Sequence, residues 1–476
     1  MSLILTNNLF KIYPIKLIMN FPKFYISITI VILLACGCVV KDSKSAKNDA
    51  VCTLNSVAKT PPMGWNSYNC FGGSVTEAEV KQNADYMSKN LISYGWEYIV
   101  VDFLWYCDNQ TSWQQFKNRR PVQHVDNYGR LIPSTVLHPS SAGGKGLKPL
   151  ADYIHSKGLK FGIHIMRGIP RQAIDNEITI FETSIKAKTI VNLTDTCKWY
   201  GGLVGVDMTK EGAQEYYNSL FKMYAEWGVD FVKVDDISFP YHAKEIEAVR
   251  KAINNCGRPI VLSLSPGAAP LASAEHLTKN ANMWRISPDF WDNWSRLLEQ
   301  LKLCRQWAPK VTESHWADAD MLPLGHIQIR QEVENAKERY TNFTKDEQYF
   351  MMTLWSIFRS PLIFGGNLPD NDEFTLSLIT NRDVIRVNQH SINNKELSFE
   401  NGVSVWSAKD KTDGRVYLAF LNTNDKETKT VFLLEKVNKA HAKTVNNLWL
   451  HAYQTVENGS FEIRLPAHGA AIYSIN

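Results

Sequence analysis

Short apolar runs alternate with amphipathic stretches between residue 60 and about residue 365. Apolar residues recur at helical spacing after most of these runs, and the Thr-x-x-Glu capping boxes at Thr76 and Thr344 open two of the helices. The predicted strands are residues 60–68, 98–101, 160–165, 231–235, 259–264, 283–286 and 362–364, with one more expected between 308 and 342. About eight strand–helix repeats predict an α/β fold, a (β/α)8 TIM barrel, over residues 58–387.

The pattern changes after about residue 388, where short and often alternating runs are separated by Asn, Asp, Gly and Lys. Such runs are typical of antiparallel strands joined by tight turns. The predicted strands are residues 403–406, 416–421, 430–434, 448–453, 461–465 and 470–475. Residues 388–476 are therefore predicted to form a small C-terminal antiparallel β-sandwich domain with a structural role.

The first residues are typical of a targeting segment. A largely apolar run at residues 24–35 follows Lys23; it is too short to span a bilayer comfortably and suits the core of a signal peptide. The run ends in Leu-Leu-Ala-Cys, which resembles a bacterial lipobox with Cys36 as the lipidated residue. We predict a signal peptide of lipoprotein type at residues 1–35 and a flexible tether at 36–57. An uncleaved anchor is the alternative, and Met19 is an alternative start.

This leader predicts an exported protein, in the periplasm or at the outer membrane or cell surface, with the lipid as its membrane contact. The formal charge of +4 falls to +1 once the leader's three lysines are removed, so no nucleic-acid partner is expected. The six cysteines from Cys52 onward contain no Cys-x-x-Cys pair, which argues against a thiolate metal cluster. Export permits disulfides, but the spacing is equally compatible with buried free thiols.

Charged and polar residues stand where the predicted barrel strands end. Residues 231–235 deliver Lys233 and Asp235, followed directly by Asp236, and Asp102 ends another strand. Other strand ends are followed by His164, Arg167, Ser263, Ser265, Arg285, Asp289, Asp318 and Asp320. Because the active sites of TIM barrels lie at the C-terminal ends of the strands, we expect these side chains to converge.

Acids from several strands, combined with Lys, Arg and many aromatic residues, are typical of a sugar pocket. Glycoside hydrolysis requires two carboxylates flanking the scissile bond. A metal site built from Asp102, Asp235, Asp236 and His164 is the alternative, but no tight ligand spacing such as His-x-x-x-His supports it. No Gly-x-Gly-x-x-Gly follows the first strand, which argues against a dinucleotide cofactor.

The segment 62–68, Pro-Met-Gly-Trp-Asn-Ser-Tyr, resembles the N-terminal signature of glycoside hydrolase family 27, the α-galactosidase and melibiase group. Further matches are Gly95-Trp96-Glu97-Tyr98 with Val101-Asp102, the segment 227–235, Trp284-Arg285 with Asp289, the segment 318–322, and Ser360-Pro361-Leu362. The resemblance covers roughly residues 58–390 and, more loosely, the C-terminal domain. It implies retaining hydrolysis of an α-glycoside without a metal or other cofactor.

The resemblance also assigns roles to residues. Asp235 matches the nucleophile of the Lys-x-Asp motif, and Asp289 matches the acid/base, which must be protonated when cleavage begins. Lys233 lies two residues before Asp235 on the same strand face and would favour its charge, whereas Asp236 should point to the opposite face. The implied sugar contacts, including three positions where the chain departs from the family, are Tyr68, Asp102, Phe103, His164, Lys233, Ser265, Arg285 and Asp320.

The chain departs from the family pattern around C4–C6 of the sugar. Phe103 stands where α-galactosidases of the family carry a second acid, Ser263-Leu264-Ser265 stands where a Glu-Trp is usual, and His164 replaces a common Tyr. A phenyl ring would leave a sugar hydroxymethyl unsatisfied. We predict release of terminal α-D-galactosyl residues. The alternatives are a β-L-arabinopyranosidase, an isomalto-dextranase, or a non-catalytic glycan-binding lipoprotein.

Overall fold

The computed structural model describes residues 54–108, 120–330 and 337–476, and the following statements concern these residues. The predicted signal peptide, Cys36 and nearly all of the predicted tether lie outside them. Within these ranges no helix combines the length and apolar character needed to cross a membrane. Asp49–Asn476 forms a single compact unit, so the domain boundary at 387/388 stays a prediction.

Parallel strands form the larger sheet. They are β1 Met63–Asn66, β2 Tyr98–Val101, β3 Lys160–Met166, β4 Phe231–Asp235, β5 Val261–Leu264, β6 Met283–Arg285, β7 Trp316–Asp318 and β8 Leu362–Phe364. Their order in the sheet is β7-β6-β5-β4-β3-β2-β1-β8. Leu322, which follows β7, bridges to Phe364 in β8, and its amide lies 2.8 Å from the Ile363 carbonyl oxygen. This contact joins the two edge strands, and the predicted (β/α)8 barrel is confirmed.

Helices follow every barrel strand. They are α1 Glu77–Asn90, α2 Lys148–Ser156, α3 Ala213–Trp227, α4 Ala243–Asn255, α5 Ala274–Asn280, α6 Trp294–Trp307, α7 Lys345–Phe358, α8 Glu373–Ile379 and α9 Arg382–His390. Both predicted capping boxes are present, because Thr76 accepts a hydrogen bond from the Glu79 amide and Thr344 from the Glu347 amide. Shorter helices span Tyr68–Phe71 and Arg171–Asp175.

Two long connections carry small antiparallel sheets of their own. Ile169–Pro170, Val191–Asn192 and Leu203–Val206 pair between β3 and α3. His326–Ile327 and Arg339–Tyr340 pair between β7 and α7. Both connections follow the C-terminal ends of barrel strands, so they bring residues distant in sequence to the end of the barrel where the predicted site lies.

The C-terminal region is antiparallel, as predicted. Its strands are β9 Ser391–Glu400, β10 Val403–Asp410, β11 Val416–Asn422, β12 Thr428–Leu433, β13 Thr444–Asn447, β14 Ala452–Thr455, β15 Ser460–Leu465 and β16 Ala470–Ile475. One sheet has the order β9-β10-β11-β16-β13-β14, and β12 pairs with β15 in a second sheet. Buried residues of the two sheets, such as Phe420 and Phe461, share one hydrophobic core. This arrangement confirms the predicted β-sandwich class.

One strand prediction in this region was wrong, and one strand was missed. The predicted strand 448–453 falls largely on the turn between β13 and β14, and β9 was not predicted at all. Trp449 lies in that turn, where its indole nitrogen donates to Thr353 Oγ1 of α7 at 2.8 Å. Its apolar side chain therefore packs against a barrel helix rather than within a sheet.

Candidate active site

A cavity of about 770 Å³ opens at the C-terminal ends of the barrel strands. Eight of the ten residues predicted for catalysis or sugar binding line it: Tyr68, Asp102, Phe103, Lys233, Asp235, Arg285, Asp289 and Asp320. The parallel register accounts for this convergence, because it places His164 beside Lys233 and Met166 beside Asp235, and so aligns the strand ends at one edge.

Asp235 ends β4 with its carboxylate held on both oxygens. Its Oδ1 accepts a hydrogen bond from the Asp236 amide at 2.8 Å, and its Oδ2 lies 3.1 Å from His164 Nε2. Burial alone would raise the pKa of Asp235, but the contact with His164, the Lys233 ammonium and the Asp236 amide outweigh it and hold the pKa below its ordinary value. Asp235 is therefore an ionised carboxylate in a largely buried position, with 14% of its side chain exposed.

Lys233 joins Asp102 to this arrangement. Its Nζ lies 3.0 Å from Asp102 Oδ2, which also accepts a hydrogen bond from Asn66 Nδ2 at 2.6 Å. Burial opposes ionisation of Asp102, yet Lys233, His164 and Asn66 together lower its pKa. Burial likewise opposes the charge of Lys233, whose pKa is nevertheless raised by Asp102 and Asp235. Both groups are therefore charged in the cavity wall.

Arg285 links the second carboxylate of the predicted catalytic pair to Asp320. Its Nη2 lies 3.1 Å from Asp289 Oδ1 and 2.7 Å from Asp320 Oδ2. The Asp289 side chain is 63% exposed, so it stands at the open side of the cavity, whereas Arg285 is buried. Burial, opposed by Arg285 and reinforced by the neighbouring carboxylates Asp289 and Asp318, raises the pKa of Asp320 to about 7.

Phe103 forms an apolar wall next to Asp102. Its ring centroid lies 5.0 Å from that of Tyr200, 5.4 Å from His164 and 5.5 Å from Trp199, each in an edge-on arrangement. The Phe103 side chain thus presents a ring edge or face to the cavity from within an aromatic cluster.

Two predicted sugar-contact residues do not line the cavity. His164 is 1% exposed and lies between Asp235 and the Phe103 ring. Ser265 is also 1% exposed, and its backbone bonds to Val234 and Ile237 instead. The two residues after Ser265, Pro266 and Gly267, take its place in the wall. A Cβ on Gly267 would approach Ser287 O to 2.0 Å, so this close backbone contact requires glycine.

Several cavity residues were not predicted from the sequence. The aromatic ones are Trp199, Phe239, Phe290 and Trp291, and the others include Asn69, Pro288, Met321, Gln328 and Arg339. Trp199 comes from the long connection after β3, and Arg339 from the connection after β7. The abundance of Trp in the composition is the one sequence feature that indicated additional aromatic residues in the cavity lining.

Asp236 turns away from the cavity, as predicted, but for a different reason than strand alternation. The strand ends at Asp235, and Asp236 adopts a left-handed backbone conformation with φ of 58°. Its Oδ2 lies 2.9 Å from Nη2 of Arg167, which is buried behind the strand ends. The residue most easily confused with the predicted nucleophile therefore belongs to a separate ion-pair network.

Possible metal ligands come together at one place in the described ranges, where Asp195, His242 and Glu245 offer atoms within 4.8 Å of one another. Arg167 Nη1 already donates to Asp195 Oδ2 at 2.9 Å and to Glu245 Oε2 at 2.8 Å. A cation here would have to displace or approach this guanidinium. The four residues of the alternative metal site fall instead into three separate contacts: Asp102 with Lys233, Asp236 with Arg167, and Asp235 with His164.

No disulfide joins the cysteines of the described ranges, which are Cys70, Cys107, Cys197, Cys256 and Cys304. Four of them are buried, which agrees with the free-thiol alternative left open by their spacing. Cys52 lies outside these ranges. Burial raises the pKa of Cys70 and Cys304, so these two thiols stay protonated in the core.

Comparison with known proteins relates this site to glycosidases. A family model described as alpha galactosidase A matches residues 204–390, and one described as the alpha galactosidase C-terminal beta sandwich domain matches residues 400–475. An α-galactosidase from Cyamopsis tetragonoloba is 27% identical over 428 residues, covering 88% of this chain and 87% of that protein.

Solved structures extend the similarity. A GH27 β-L-arabinopyranosidase from Geobacillus stearothermophilus is 48% identical, with a TM-score of 0.86, and the match covers 89% of this chain and 98% of that one. A variant of that enzyme in complex with arabinose is also 48% identical, with a TM-score of 0.86, covering 90% of this chain and 99% of the other. The similarity therefore runs through the barrel and the C-terminal β domain.

Proposed function

The chain belongs to glycoside hydrolase family 27, and we propose that it is a retaining exo-glycosidase that releases terminal β-L-arabinopyranose. The apolar cavity wall formed by Phe103 is the observation on which the proposed sugar specificity rests. A hydroxymethyl group directed at this ring would lose its hydrogen bonds to water and gain none. Arabinopyranose has the ring configuration of galactose without that group. The 48% identity to an enzyme named as a β-L-arabinopyranosidase supports the same choice.

The proposed reaction is a double displacement. In the first step Asp235 attacks the anomeric carbon while Asp289 gives its proton to the glycosidic oxygen, so an ester bond to Asp235 forms as the bond to the leaving group breaks. In the second step water attacks the same carbon and gives a proton to Asp289. The ester bond breaks, which returns Asp235 to its ionised form and leaves the sugar with its original anomeric configuration.

The different environments of the two carboxylates support these roles. Asp235 lies deep in the cavity with a lowered pKa, as suits a group that must be ionised to attack. Asp289 stands at the open side, where a leaving group would depart and water would enter. The presence of both in one cavity argues for an enzyme rather than a binding module.

The charged wall of the cavity fits the hydroxyl groups of a pyranose. Asp102 accepts and Lys233 donates, and both keep their charge while largely buried. Arg285 offers a guanidinium fixed by two carboxylates. Because the protein fixes the positions of these groups, they bind sugar hydroxyls in one orientation. The rings of Trp199 and Trp291 supply apolar contact for the face of the sugar.

Terminal α-D-galactose, the substrate predicted from the sequence, remains the second candidate. The curated α-galactosidase from Cyamopsis tetragonoloba covers nearly the same length of the chain. In this case another cavity residue must bind the hydroxymethyl group in place of the missing acid. Gln328, which lines the cavity as a buried amide, has the chemistry to do so.

Initial rates on matched nitrophenyl glycosides test the proposal. We expect the purified protein to hydrolyse the β-L-arabinopyranoside faster than the α-D-galactopyranoside and the isomaltoside, and the Asp235→Asn variant to be inactive on all three. Proton NMR of the first product should show the anomer of the substrate. Faster hydrolysis of the galactoside would favour an α-galactosidase, an inverted first product would reject the retaining mechanism, and glycan binding without turnover would favour a binding module.

We also propose that the protein is exported and held by a lipid on Cys36. The lipobox-like sequence that ends at this cysteine supports the proposal. Growth of expressing bacteria with a radiolabelled fatty acid should label the protein, and Cys36→Ser should abolish the labelling. Equal labelling of the Cys36→Ser variant would contradict lipidation at this residue.

A further inference from the structure

Behind the cavity, Arg167 grips the backbone turn that follows Asp235. The Arg167 amide donates to the Asp235 carbonyl at 2.9 Å, and its Nε donates to the Asp236 carbonyl at 2.7 Å. Its Nη2 lies 2.9 Å from the Asp236 carboxylate. A single residue of the connection after β3 therefore contacts the main-chain carbonyls of both Asp235 and Asp236 and the side chain of Asp236.

The turn is one that the backbone does not adopt freely. Asp236 has a φ of 58°, which costs free energy for most L-residues, although Asp tolerates it better than others. In this conformation the Asp236 amide points back at Asp235 and donates to its Oδ1 at 2.8 Å. The strained turn thus supplies one of the two hydrogen-bonding contacts that hold the Asp235 carboxylate.

Arg167 is itself held from the far side. Asp195 contacts Nη1 and Nη2, each at 2.9 Å, and Glu245 contacts Nη1 at 2.8 Å. Glu245 also accepts a hydrogen bond from the Tyr217 hydroxyl at 2.5 Å. One buried guanidinium therefore faces three carboxylates. Burying that many charges is costly and stabilises a fold less than apolar packing would, so a role beyond stability is reasonable.

We propose that Arg167 and Asp236 are positioning residues for the nucleophile, and that they hold the left-handed turn whose amide fixes the orientation of the Asp235 carboxylate. The inference rests on the proposed nucleophilic role of Asp235. Neither residue lines the cavity, so neither contacts the sugar. Their loss should therefore slow attack on the anomeric carbon and leave substrate binding nearly unchanged.

Substitutions at Asp236 distinguish the effect of the left-handed backbone conformation from the effect of the side-chain contact with Arg167. Asp236→Gly keeps a residue that adopts positive φ without strain but loses the carboxylate that contacts Arg167 Nη2. Asp236→Ala loses the contact and adds strain, and Asp236→Asn keeps tolerance of the turn with a neutral partner for Arg167. We expect kcat to fall most for alanine, by on the order of a hundredfold, and less for glycine and asparagine, with KM within about twofold. Arg167→Lys should lower kcat as much as Asp236→Ala does, because lysine lacks the planar guanidinium and its several N–H donors.

Glu182→Ala is a matched control. Glu182 also has positive φ, at 59°, and an ion pair, at 2.7 Å to Lys222, but on an exposed loop. The kcat of the Glu182→Ala variant should equal that of the parent. Thermal melting identifies any variant that fails to fold. If Asp236→Ala does not fold, the kcat values of the glycine and asparagine variants, which adopt the turn with less strain, are compared with that of the parent instead.

Labelling with 2-deoxy-2-fluoro-β-L-arabinopyranosyl fluoride distinguishes this inference from the proposed function on which it rests. In the parent we expect a covalent label on Asp235, and in the Asp236→Ala and Arg167→Lys variants a rate constant for labelling lowered in parallel with kcat. A parent label on a different residue would overturn both proposals. A label on Asp235 that forms at the parental rate in folded variants would overturn the positioning role alone, as would a rise in KM with unchanged kcat.

Discussion

His164 Nε2 lies 3.1 Å from Asp235 Oδ2, and the His164 side chain is buried behind that carboxylate rather than in the cavity wall. Its contact therefore acts on the proposed nucleophile and not on the sugar. A hydrogen bond to a charged group contributes about 1.5–3 kcal/mol. We expect His164→Phe to lower kcat on the order of tenfold to a hundredfold, measured with nitrophenyl β-L-arabinopyranoside, while KM stays nearly constant.

His164→Gln is the matched control for this prediction, because a glutamine amide can donate to Asp235 from a similar position. It should retain more activity than His164→Phe. If instead both variants keep the parental kcat and raise KM, His164 contacts substrate and its placement behind Asp235 has no bearing on the reaction.

Much of this site could be predicted because its residues end regular strands. The strand predicted at 231–235 is observed as Phe231–Asp235, and an apolar run that stops at charged residues is a local feature of the sequence. The contact of His164 with Asp235 depends on the register between β3 and β4, which no local pattern specifies. The sequence could place His164 near the site but could not decide between a sugar contact and a contact with Asp235.

Residues that reach the site from long connections were missed for a related reason. Trp199 contacts the Phe103 ring from a connection that has its own small sheet, so its position depends on contacts distant in sequence.

The wrong strand prediction at 448–453 came from a local apolar pattern that has another structural origin. Leu448 and Trp449 are apolar because they pack from a turn, Trp449 against Thr353 of the barrel, and burial of this kind mimics a strand pattern. β9 escaped prediction because its sequence is mostly polar and partly exposed at a sheet edge.

Removal of either predicted catalytic carboxylate should abolish most activity. We expect Asp235→Ala and Asp289→Ala each to lower kcat/KM by roughly a thousandfold or more on a substrate with a natural, poor leaving group. With an activated nitrophenyl glycoside and azide, Asp289→Ala should recover and form a glycosyl azide of the substrate's anomeric configuration. Asp236→Ala should show no such rescue. Near-normal turnover by either catalytic variant would reject the assignment.

Acid should weaken the fold through Asp102. Its folded-state pKa lies below the ordinary value of 3.8, so the stabilisation it provides is present above that pH and is lost as the pH falls below it. Asp102→Asn leaves the buried Lys233 without this partner and should cost about 3 kcal/mol at pH 7. Thermal melts at pH 7 and pH 3 should therefore show the parent and variant Tm values converging at the lower pH.

The exposed pair of Lys148 and Asp152, whose Nζ–Oδ1 distance is 2.7 Å, supplies the control for this comparison. Asp152→Asn should change the free energy of unfolding by less than about 1 kcal/mol at either pH. A gap between the parent and Asp102→Asn that stays constant from pH 7 to pH 3 would mean that the ionisation of Asp102 does not contribute to stability.

Phe103 should decide which sugar the cavity accepts. Asp102 and Phe103 follow β2 next to each other, so Phe103→Asp would place two adjacent acids there, the arrangement that the family resemblance implies for α-galactosidases. The new carboxylate could accept a hydrogen bond from the sugar hydroxymethyl, and one such interaction with a charged group amounts to about 1.5–3 kcal/mol. We expect the ratio of kcat/KM for galactoside over arabinopyranoside to rise on the order of tenfold or more. Phe103→Leu, which removes the ring without adding an acceptor, should leave that ratio close to the parental one. An unchanged ratio in Phe103→Asp, with the protein folded, would show that this wall does not face C5 of the bound sugar.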